Sequence, residues 1–194
     1  MEIGATKAVQ DRLKTTKIEE SKGASLVFCW DTHLTKIKGR NVLFIVNASN
    51  RYTIAMTDIE PRNWNYYAMY ISRVIHGVMQ EMGYSEEQIA QYFKRSRNII
   101  VTKTHCKKSV GGINRMVTDA QYFDKKLEKD TKYQWELSEY LNRDICQPEG
   151  FDAYGYPSEL FKLDMERLGI IPKRKPAKVI DFTRYIDTNR SSNH

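Results

Sequence analysis

Two short segments carry residue types that suit phosphate-ester chemistry without a metal ion. The first contains Asp31 and His33, and the second contains Arg51 and Tyr52. Cleavage of RNA by its own 2′-hydroxyl needs a base, an acid and cations that stabilise charge on the phosphoryl oxygens. Histidine serves as acid or base near neutral pH, and arginine binds phosphate through a planar fork. These four residues form the candidate catalytic set, in which Asp31 orients His33 or raises its pKa.

Metal chemistry has weaker support in the sequence. Asp58 and Glu60 lie two residues apart, but no third carboxylate can be placed beside them to hold Mg²⁺. The cysteines Cys29, Cys106 and Cys146 are widely spaced and form no CxxC pair. The sequence therefore predicts neither a zinc knuckle nor a disulfide framework, and we expect reduced thiols and no metal or other cofactor.

The positive charge is unevenly distributed along the chain. The 31 Lys and Arg against 24 Asp and Glu give a net charge of +7. Two windows, residues 32–57 and 88–118, contain no acidic residue, so they can form one anion-binding face. The candidate RNA-binding residues in these windows are Lys36, Lys38, Arg40, Lys103, His105, Lys107, Lys108 and Arg115. We expect the cations around His105 to lower its pKa. The alternative is that these side chains are simply solvated.

The elements that must position these residues begin with strands. Alternating and apolar runs predict strands over residues 2–5, 26–30, 34–38, 41–47, 52–57 and 98–102. Gly39-Arg40-Asn41 is typical of a hairpin turn. Thr6 is a possible N-cap of a first short helix.

Helical spacing starts after Pro61, where the apolar period changes from two to 3.6 residues. This pattern predicts one helix that ends at Gly83, and Ser85 and Gln88 have the spacing of a capping box for the next helix. Residues 107–112 are expected to form a basic, glycine-containing loop. Further helices are predicted over residues 113–123, 135–142 and 157–168.

These elements predict an α+β protein, in which an N-terminal meander forms a small, mainly antiparallel sheet packed against four or so helices. We expect one domain over residues 1–169 and a basic C-terminal tail over residues 170–194. The longest apolar run, residues 42–46, is far shorter than the roughly 20 residues that span a bilayer. The first residues lack the apolar stretch of a secretory signal. A cytoplasmic protein without a membrane partner is expected.

Several short segments resemble a family of uncharacterised proteins from bacteria and their mobile elements. The segments, in order, are Ala5-Thr6-Lys7, residues 28–34, residues 46–52, residues 109–114, Leu141-Asn142 and Tyr156-Pro157. The family-like residues are Trp30, Asn47, Asn50, Arg51, Tyr52, Ser109 and Asn114. Where the family commonly has a histidine directly after the tryptophan, this chain has Asp31, with His33 two residues later. The Asn/Arg/Tyr element is alternatively a turn whose Asn side chains satisfy backbone groups.

The chain is also similar to phage- and plasmid-encoded anti-CRISPR proteins of type II systems, some of which truncate the guide RNA. This resemblance implies an inhibitor that binds guide RNA and either cleaves it, by a metal-independent ribonuclease-like reaction, or induces its cleavage. Its partners would be guide RNA, the type II effector nuclease, or both. Two alternatives stay open: a non-catalytic inhibitor that binds the nuclease or its guide complex, and an RNA-binding or toxin-type protein of a mobile element. The sequence predicts no oligomeric state.

Overall fold

A computed structural model describes residues 1–13 and 17–173 of the chain. In these residues a five-stranded sheet lies between two layers of helices, which confirms the predicted α+β class. The strands are β1 (Glu2–Ala5), β2 (Cys29–Ile37), β3 (Arg40–Asn47), β4 (Thr53–Thr57) and β5 (Ile100–Lys103). The helices are α1 (Lys7–Gln10), α2 (Pro61–Asn65), α3 (Tyr67–Glu81), α4 (Glu86–Ser96), α5 (Lys107–Gln121), α6 (Trp135–Asn142) and α7 (Pro157–Arg167).

The sheet is mixed, with strand order β4-β3-β2-β1-β5. Strands β2, β3 and β4 form the predicted antiparallel meander. Strand β1, however, is parallel to both of its neighbours, β2 and β5. Strand patterns in a sequence give the side-chain period but not the direction of pairing, and long connections such as those leading into β2 and β5 permit parallel strands.

The β2–β3 hairpin turns one residue earlier than predicted. Lys38 and Gly39 form a two-residue loop, because Ile37 pairs with Arg40 across the hairpin. Both loop residues have positive φ, 49° and 80°. This backbone matches the twist of the flanking strands, and glycine adopts it without steric cost.

Each face of the sheet is covered by its own apolar cluster. On one face, Val42, Phe44 and Ala55 pack against Ile113 and Met116 of α5, and this cluster continues to α6. The opposite face has the larger cluster, which includes Trp30, Ile45, Tyr67, Ile71, Tyr92 and Phe161. Helices α3, α4 and α7 therefore cover one side, and α5 and α6 cover the other.

The helix predicted after Pro61 is divided in two. Tyr66, with φ −117° and ψ 37°, separates α2 from α3. The predicted end at Gly83 is confirmed: this residue has φ +84°, and the next amide, that of Tyr84, donates to Met79. The capping box is also confirmed, with Ser85 accepting from the Gln88 amide and the Gln88 side chain accepting from the Ser85 amide.

The loop predicted over residues 107–112 is wrong, because α5 already begins at Lys107. The amide of Ser109 donates to Cys106 Sγ at 3.2 Å, so a cysteine caps this helix. Two glycines, Gly111 and Gly112, lie in its second turn. Glycine is read as a helix breaker in sequence, but a helix held by tertiary packing tolerates it.

Both edges of the sheet are covered. On the β4 side, the amide of Ala55 donates to Ser138 of α6, and the amide and carbonyl of Thr53 bond the side chain of Asn142. On the β5 side, Glu19 bonds the carbonyl of Val101 and the amide of Lys103. These contacts satisfy backbone groups that an edge strand otherwise leaves open.

Most of the predicted basic tail, residues 174–194, lies outside the described residues. Within residues 1–13 and 17–173, we find no helix with the length and apolarity that crossing a bilayer requires.

We expect Asn142→Ala to lower the free energy of unfolding by about 2–4 kcal/mol, since it leaves a buried amide and a buried carbonyl of Thr53 unpaired. Urea denaturation measures the loss. Asn114→Ala is the matched control, because Asn114 is an exposed helical residue, and its change is expected within about 0.5 kcal/mol. Equal effects of the two substitutions would contradict the conclusion that Asn142 stabilises the fold by bonding the edge strand β4.

Candidate functional site

Asn47 organises the turn that follows β3. Its Oδ1 accepts hydrogen bonds from the amides of Ser49 (3.0 Å) and Asn50 (3.3 Å). Its Nδ2 donates to the carbonyl of Val27 at 2.9 Å. The side chain is fully buried, so these bonds fix the turn against the segment that leads into β2.

Asn50 holds the second half of the same turn. Its Oδ1 accepts from the amide of Tyr52 at 2.9 Å, and its Nδ2 donates to Asp164 of α7 at 2.9 Å. Between them Arg51 adopts φ +62°, a left-handed conformation that costs an L-residue about 1–2 kcal/mol. The asparagines thus satisfy backbone groups, and the same bonds hold Arg51 in this conformation.

Arg51 extends into a cleft of about 290 Å³ beside the first turns of α5. Its Nη2 donates to the carbonyl of Gly112 at 3.1 Å, and a Cβ on Gly112 would lie 3.2 Å from its Nε. Glycine at position 112 thus makes room for the guanidinium. We call this the Arg51 cleft; its lining is Ala48, Arg51, Lys108, Ser109, Gly111, Gly112, Arg115, Gln147, Pro148 and Glu149.

The Arg51 cleft is cationic. Among the described residues that line the cleft, Arg51, Lys108 and Arg115 face one acid, Glu149. Lys108 Nζ lies 3.9 Å from Glu149, and Arg115 lies 3.9 and 4.0 Å from its two carboxylate neighbours. Ion pairs this long between exposed side chains contribute little to stability. Lys108 and Arg115 can therefore exchange these partners for a bound anion at a low cost in free energy.

A buried network lies beneath the start of α5. His105 Nδ1 is 2.6 Å from Asp31 Oδ1, and its Nε2 is 3.1 Å from Glu2 Oε2. Ser109 Oγ donates to the other Asp31 oxygen at 2.5 Å. The side chains of Glu2, Asp31 and His105 are each no more than 3% exposed.

The structure corrects the expectation for His105. Burial alone would lower its pKa, but hydrogen bonds to Asp31 and Cys29 and the charge of Asp31 raise the pKa of His105 to about 10. The pKa of Glu2 is lowered: burial opposes this, but hydrogen bonds from Ser21 and from backbone amides, with the charge of His105, outweigh it. The pKa of His105 is not set by the neighbouring cations, because its ring faces the carboxylates of Glu2 and Asp31.

The network does not form a nucleophilic triad. Ser109 donates to Asp31 rather than to His105, so the imidazole has no direct hydrogen bond through which to take the serine proton. The arrangement instead links α5 to the middle of the sheet.

Parallel pairing of β1 and β2 builds this network. Glu2 lies opposite Cys29, and Gly4 lies opposite Asp31, all on the same face of the sheet. A Cβ on Gly4 would stand 1.9 Å from Asp31 Oδ1 and 3.1 Å from the His105 ring. Gly4 therefore leaves the space that the Asp31–His105 contact occupies.

The other predicted catalytic residues do not line the Arg51 cleft. His33 Nδ1 contacts Thr6 Oγ1 at 3.1 Å, and burial lowers its pKa. Asp31 was expected to orient His33 or raise its pKa, but its oxygens bond His105 and Ser109. Tyr52 is 7% exposed and packs on Phe161 in the opposite layer, where burial raises its pKa to about 12.

The predicted basic face divides between the two ends of α5. Near its end, Gln121 bonds the carbonyl of Lys36, Lys38 donates to the Lys125 carbonyl, and Arg40 pairs with Asp58. Near its start lie Lys103, His105, Lys107 and Lys108, of which Lys103 pairs with Glu20, while Arg115 lies in the third turn. A 15-residue helix is about 22 Å long, so the two groups are far apart.

The remaining family-like residues have separate positions. Trp30 is fully buried in the larger cluster, where its indole donates to Tyr92 Oη at 3.0 Å. Asn114 lies exposed on α5. Ser109 joins the buried network to the Arg51 cleft.

The sequence did not identify Glu2, Gly4 and Cys29 as neighbours of His105 in a buried cluster. Among the described residues, Glu2, Cys29 and His105 form a group whose possible ligand atoms all lie within 4.8 Å of one another. The signal available was Gly4, since a glycine inside a strand often marks a close approach by another group.

Comparison with known families gives one match. Residues 2–160 fit the model of a family described as "Domain of unknown function (DUF6933)", and the chain therefore belongs to that family. No curated protein and no solved structure matches the chain.

We expect Gly4→Ala to destabilise the fold by about 2–4 kcal/mol, since the added methyl group overlaps Asp31 Oδ1 and forces the buried network apart. Urea denaturation measures the change. Gly77→Ala in α3 is the control: its methyl group meets open space, so it should stabilise by up to about 1 kcal/mol. A Gly4→Ala protein as stable as the wild type would show that Asp31 and His105 do not need this space.

Proposed function

We propose that this member of the DUF6933 family binds RNA through the Arg51 cleft. The observation that carries the proposal is the convergence of Arg51, Lys108 and Arg115 on a cleft with one opposing acid. A phosphate fits the chemistry of this group, because a guanidinium can donate two parallel hydrogen bonds to it. The net charge of +7 favours long-range attraction of a polyanion.

The geometry favours phosphate binding by prearranged groups. Arg51 is held by a turn whose two asparagines are buried, so little conformational freedom is lost when its guanidinium meets a ligand. Lys108 and Arg115 extend from one helix and are themselves loosely paired. Phosphate contacts of this kind fix the position of a nucleic acid without reading its sequence.

More narrowly, we propose that the RNA is the guide RNA of a type II CRISPR nuclease, and that the protein is an anti-CRISPR inhibitor. This step rests on the resemblance of segments such as residues 46–52 and 109–114 to such inhibitors. The Arg51 cleft contains members of both segments, namely Arg51 and Ser109. The action would take place in the bacterial cytoplasm.

The placement of the candidate catalytic residues favours binding over direct cleavage. Of the four, Arg51 lines the cleft, whereas Asp31 and Tyr52 are buried and engaged elsewhere. A general acid or base must come within hydrogen-bond reach of the reacting group. We therefore propose that any shortening of the guide is induced by this protein and performed by another factor.

A second candidate, inhibition by binding the nuclease itself, is favoured by an acidic groove. This groove of about 420 Å³ lies between the end of α5 and α6. Its charged lining residues are Asp119, Asp124, Glu136, Glu139 and Asp144, with Lys125 and Arg143. A nuclease surface that normally holds nucleic acid is positively charged and would complement such a groove.

Arg51→Gln is expected to weaken binding of fluorescein-labelled guide RNA about 10- to 100-fold, because a hydrogen bond to a charged group contributes about 1.5–3 kcal/mol. Fluorescence anisotropy over a range of salt concentrations measures it. The slope of log affinity against log salt should fall in magnitude by about 0.7 if one single-strand phosphate contact is lost.

Arg143→Gln is the matched control for this measurement. Arg143 is exposed and pairs with Glu139 at 2.6 Å in the acidic groove, so its loss removes the same charge outside the Arg51 cleft. RNA affinity should stay within about twofold of wild type. If both variants weaken binding equally, net charge rather than the cleft determines binding.

The guide-RNA proposal predicts a shortened guide on a denaturing gel after incubation with the type II nuclease and a bacterial extract. The protein and guide alone should give no shortening, with or without EDTA. Shortening by the purified pair would assign the cleavage to this chain. An intact guide with nuclease inhibition that is lost on Glu136→Lys/Glu139→Lys would favour the acidic groove instead. An intact guide without inhibition would overturn both readings.

A further inference from the structure

The parallel pairing of β1 and β2 brings together a cluster of possible metal ligands that has no part in the proposed RNA binding. Glu2 and Cys29 lie directly opposite each other and point to the same face of the sheet. One position further along, Gly4 has no side chain, and the His105 ring occupies the space above it. A carboxylate, a thiol and an imidazole therefore converge within 4.8 Å, all buried.

We propose that Glu2, Cys29 and His105 bind a zinc ion. Zinc in proteins takes thiolate, imidazole and carboxylate ligands, and three protein ligands leave one tetrahedral position for water. A hard cation such as Mg²⁺ prefers an all-oxygen shell, so the thiol and imidazole favour zinc over magnesium.

The hydrogen bonds of the His105 ring support the assignment. A zinc-binding imidazole usually donates its other N–H to a carboxylate, which fixes the ring and the tautomer. His105 Nδ1 has such a partner in Asp31 at 2.6 Å, and Ser109 in turn bonds Asp31 at 2.5 Å. Asp31 thereby directs His105 Nε2 toward Glu2.

The spacing of the ligand atoms also fits. Two ligands about 2.0–2.1 Å from a tetrahedral zinc are about 3.3 Å apart. His105 Nε2 and Glu2 Oε2 are separated by 3.1 Å. Cys29 Sγ lies within 4.8 Å of a ring nitrogen of His105 and of a carboxylate oxygen of Glu2.

An unpaired hydroxyl provides an independent observation. Thr102 of β5 lies opposite Gly4 in the sheet, is 0% exposed, and its Oγ1 has no hydrogen-bond partner among the described residues. Strand alternation places its side chain on the face that carries Glu2 and Asp31. A buried polar atom without a partner is typical of a site that holds a water or an ion.

Zinc binding would replace protons on His105 and Cys29 by the metal ion. Without zinc, the imidazolium of His105 bridges Glu2 and Asp31. When zinc binds, the Nε2 proton of His105 and the thiol proton of Cys29 leave to solvent, and the ion takes their place. Because the ligands come from β1, β2 and the segment before α5, the bound ion would link these three parts of the chain.

The test is titration of the untagged, reduced, full-length protein with ZnCl₂ by calorimetry, followed by CoCl₂ with absorbance spectroscopy. One zinc per chain and a thiolate-to-cobalt charge-transfer band are expected in the wild type. Thermal melting should shift upward with zinc and return with EDTA. Cys29→Ser and His105→Gln should abolish stoichiometric binding, whereas Asp31→Asn should weaken it about 10- to 100-fold.

Cys146→Ser is the matched control, because Cys146 is a buried cysteine in a separate cluster with Phe151 and Leu160. It should keep both the stoichiometry and the cobalt band. Circular dichroism shows whether each variant folds. Where a variant does not fold, the wild-type cobalt spectrum still tests the proposal, because zinc binding by Cys29 requires a thiolate band there. A folded wild type without a thiolate band, or a band that survives Cys29→Ser, overturns the proposal.

Discussion

The hydrogen bond between His105 and Asp31 joins parts of the chain that are 74 residues apart. Asp31 lies in the middle of the sheet, and His105 lies two residues before α5. Ser109 occupies the other carboxylate oxygen, so the first turn of α5 is bonded to the same group. Removing one partner would leave a buried charge unpaired, which costs about 3–5 kcal/mol. The position of α5 on the sheet depends on this pair.

The Arg51 cleft depends on two anchors in different parts of the chain. The His105–Asp31 pair places Lys108, Gly112 and Arg115, since all three lie on α5. The asparagine turn places Arg51 through Asn47 and Asn50, which bond Val27 and α7. The cations meet only because both anchors attach to the same sheet. A cluster of charges on flexible loops would lose this arrangement to side-chain entropy.

The sequence predicted features that depend on neighbouring residues, such as helix ends and caps. It did not predict contacts that depend on which strands pair and in which direction. The capping box at Ser85 and the helix end at Gly83 are local, and both are confirmed. Arg51, Lys108 and Arg115 lie in the two windows predicted to form one anion-binding face, but the sequence did not separate them from the other cations of those windows. The network of Glu2, Gly4 and His105 stayed hidden because it follows from the parallel register of β1 and β2. Such a register joins distant positions and leaves no periodic pattern in the chain.

The covered edges of the sheet restrict how this protein can meet others. Ser138 and Asn142 occupy the outer backbone groups of β4, and Glu19 occupies those of β5. In the sheet formed by residues 1–13 and 17–173, a foreign peptide therefore finds no open strand to extend, and recognition by strand addition is disfavoured. The same cover protects the chain from fibril growth by edge pairing. Other molecules are therefore bound by side chains in clefts and on helices. Substitution of these side chains leaves the backbone pairing of the sheet intact.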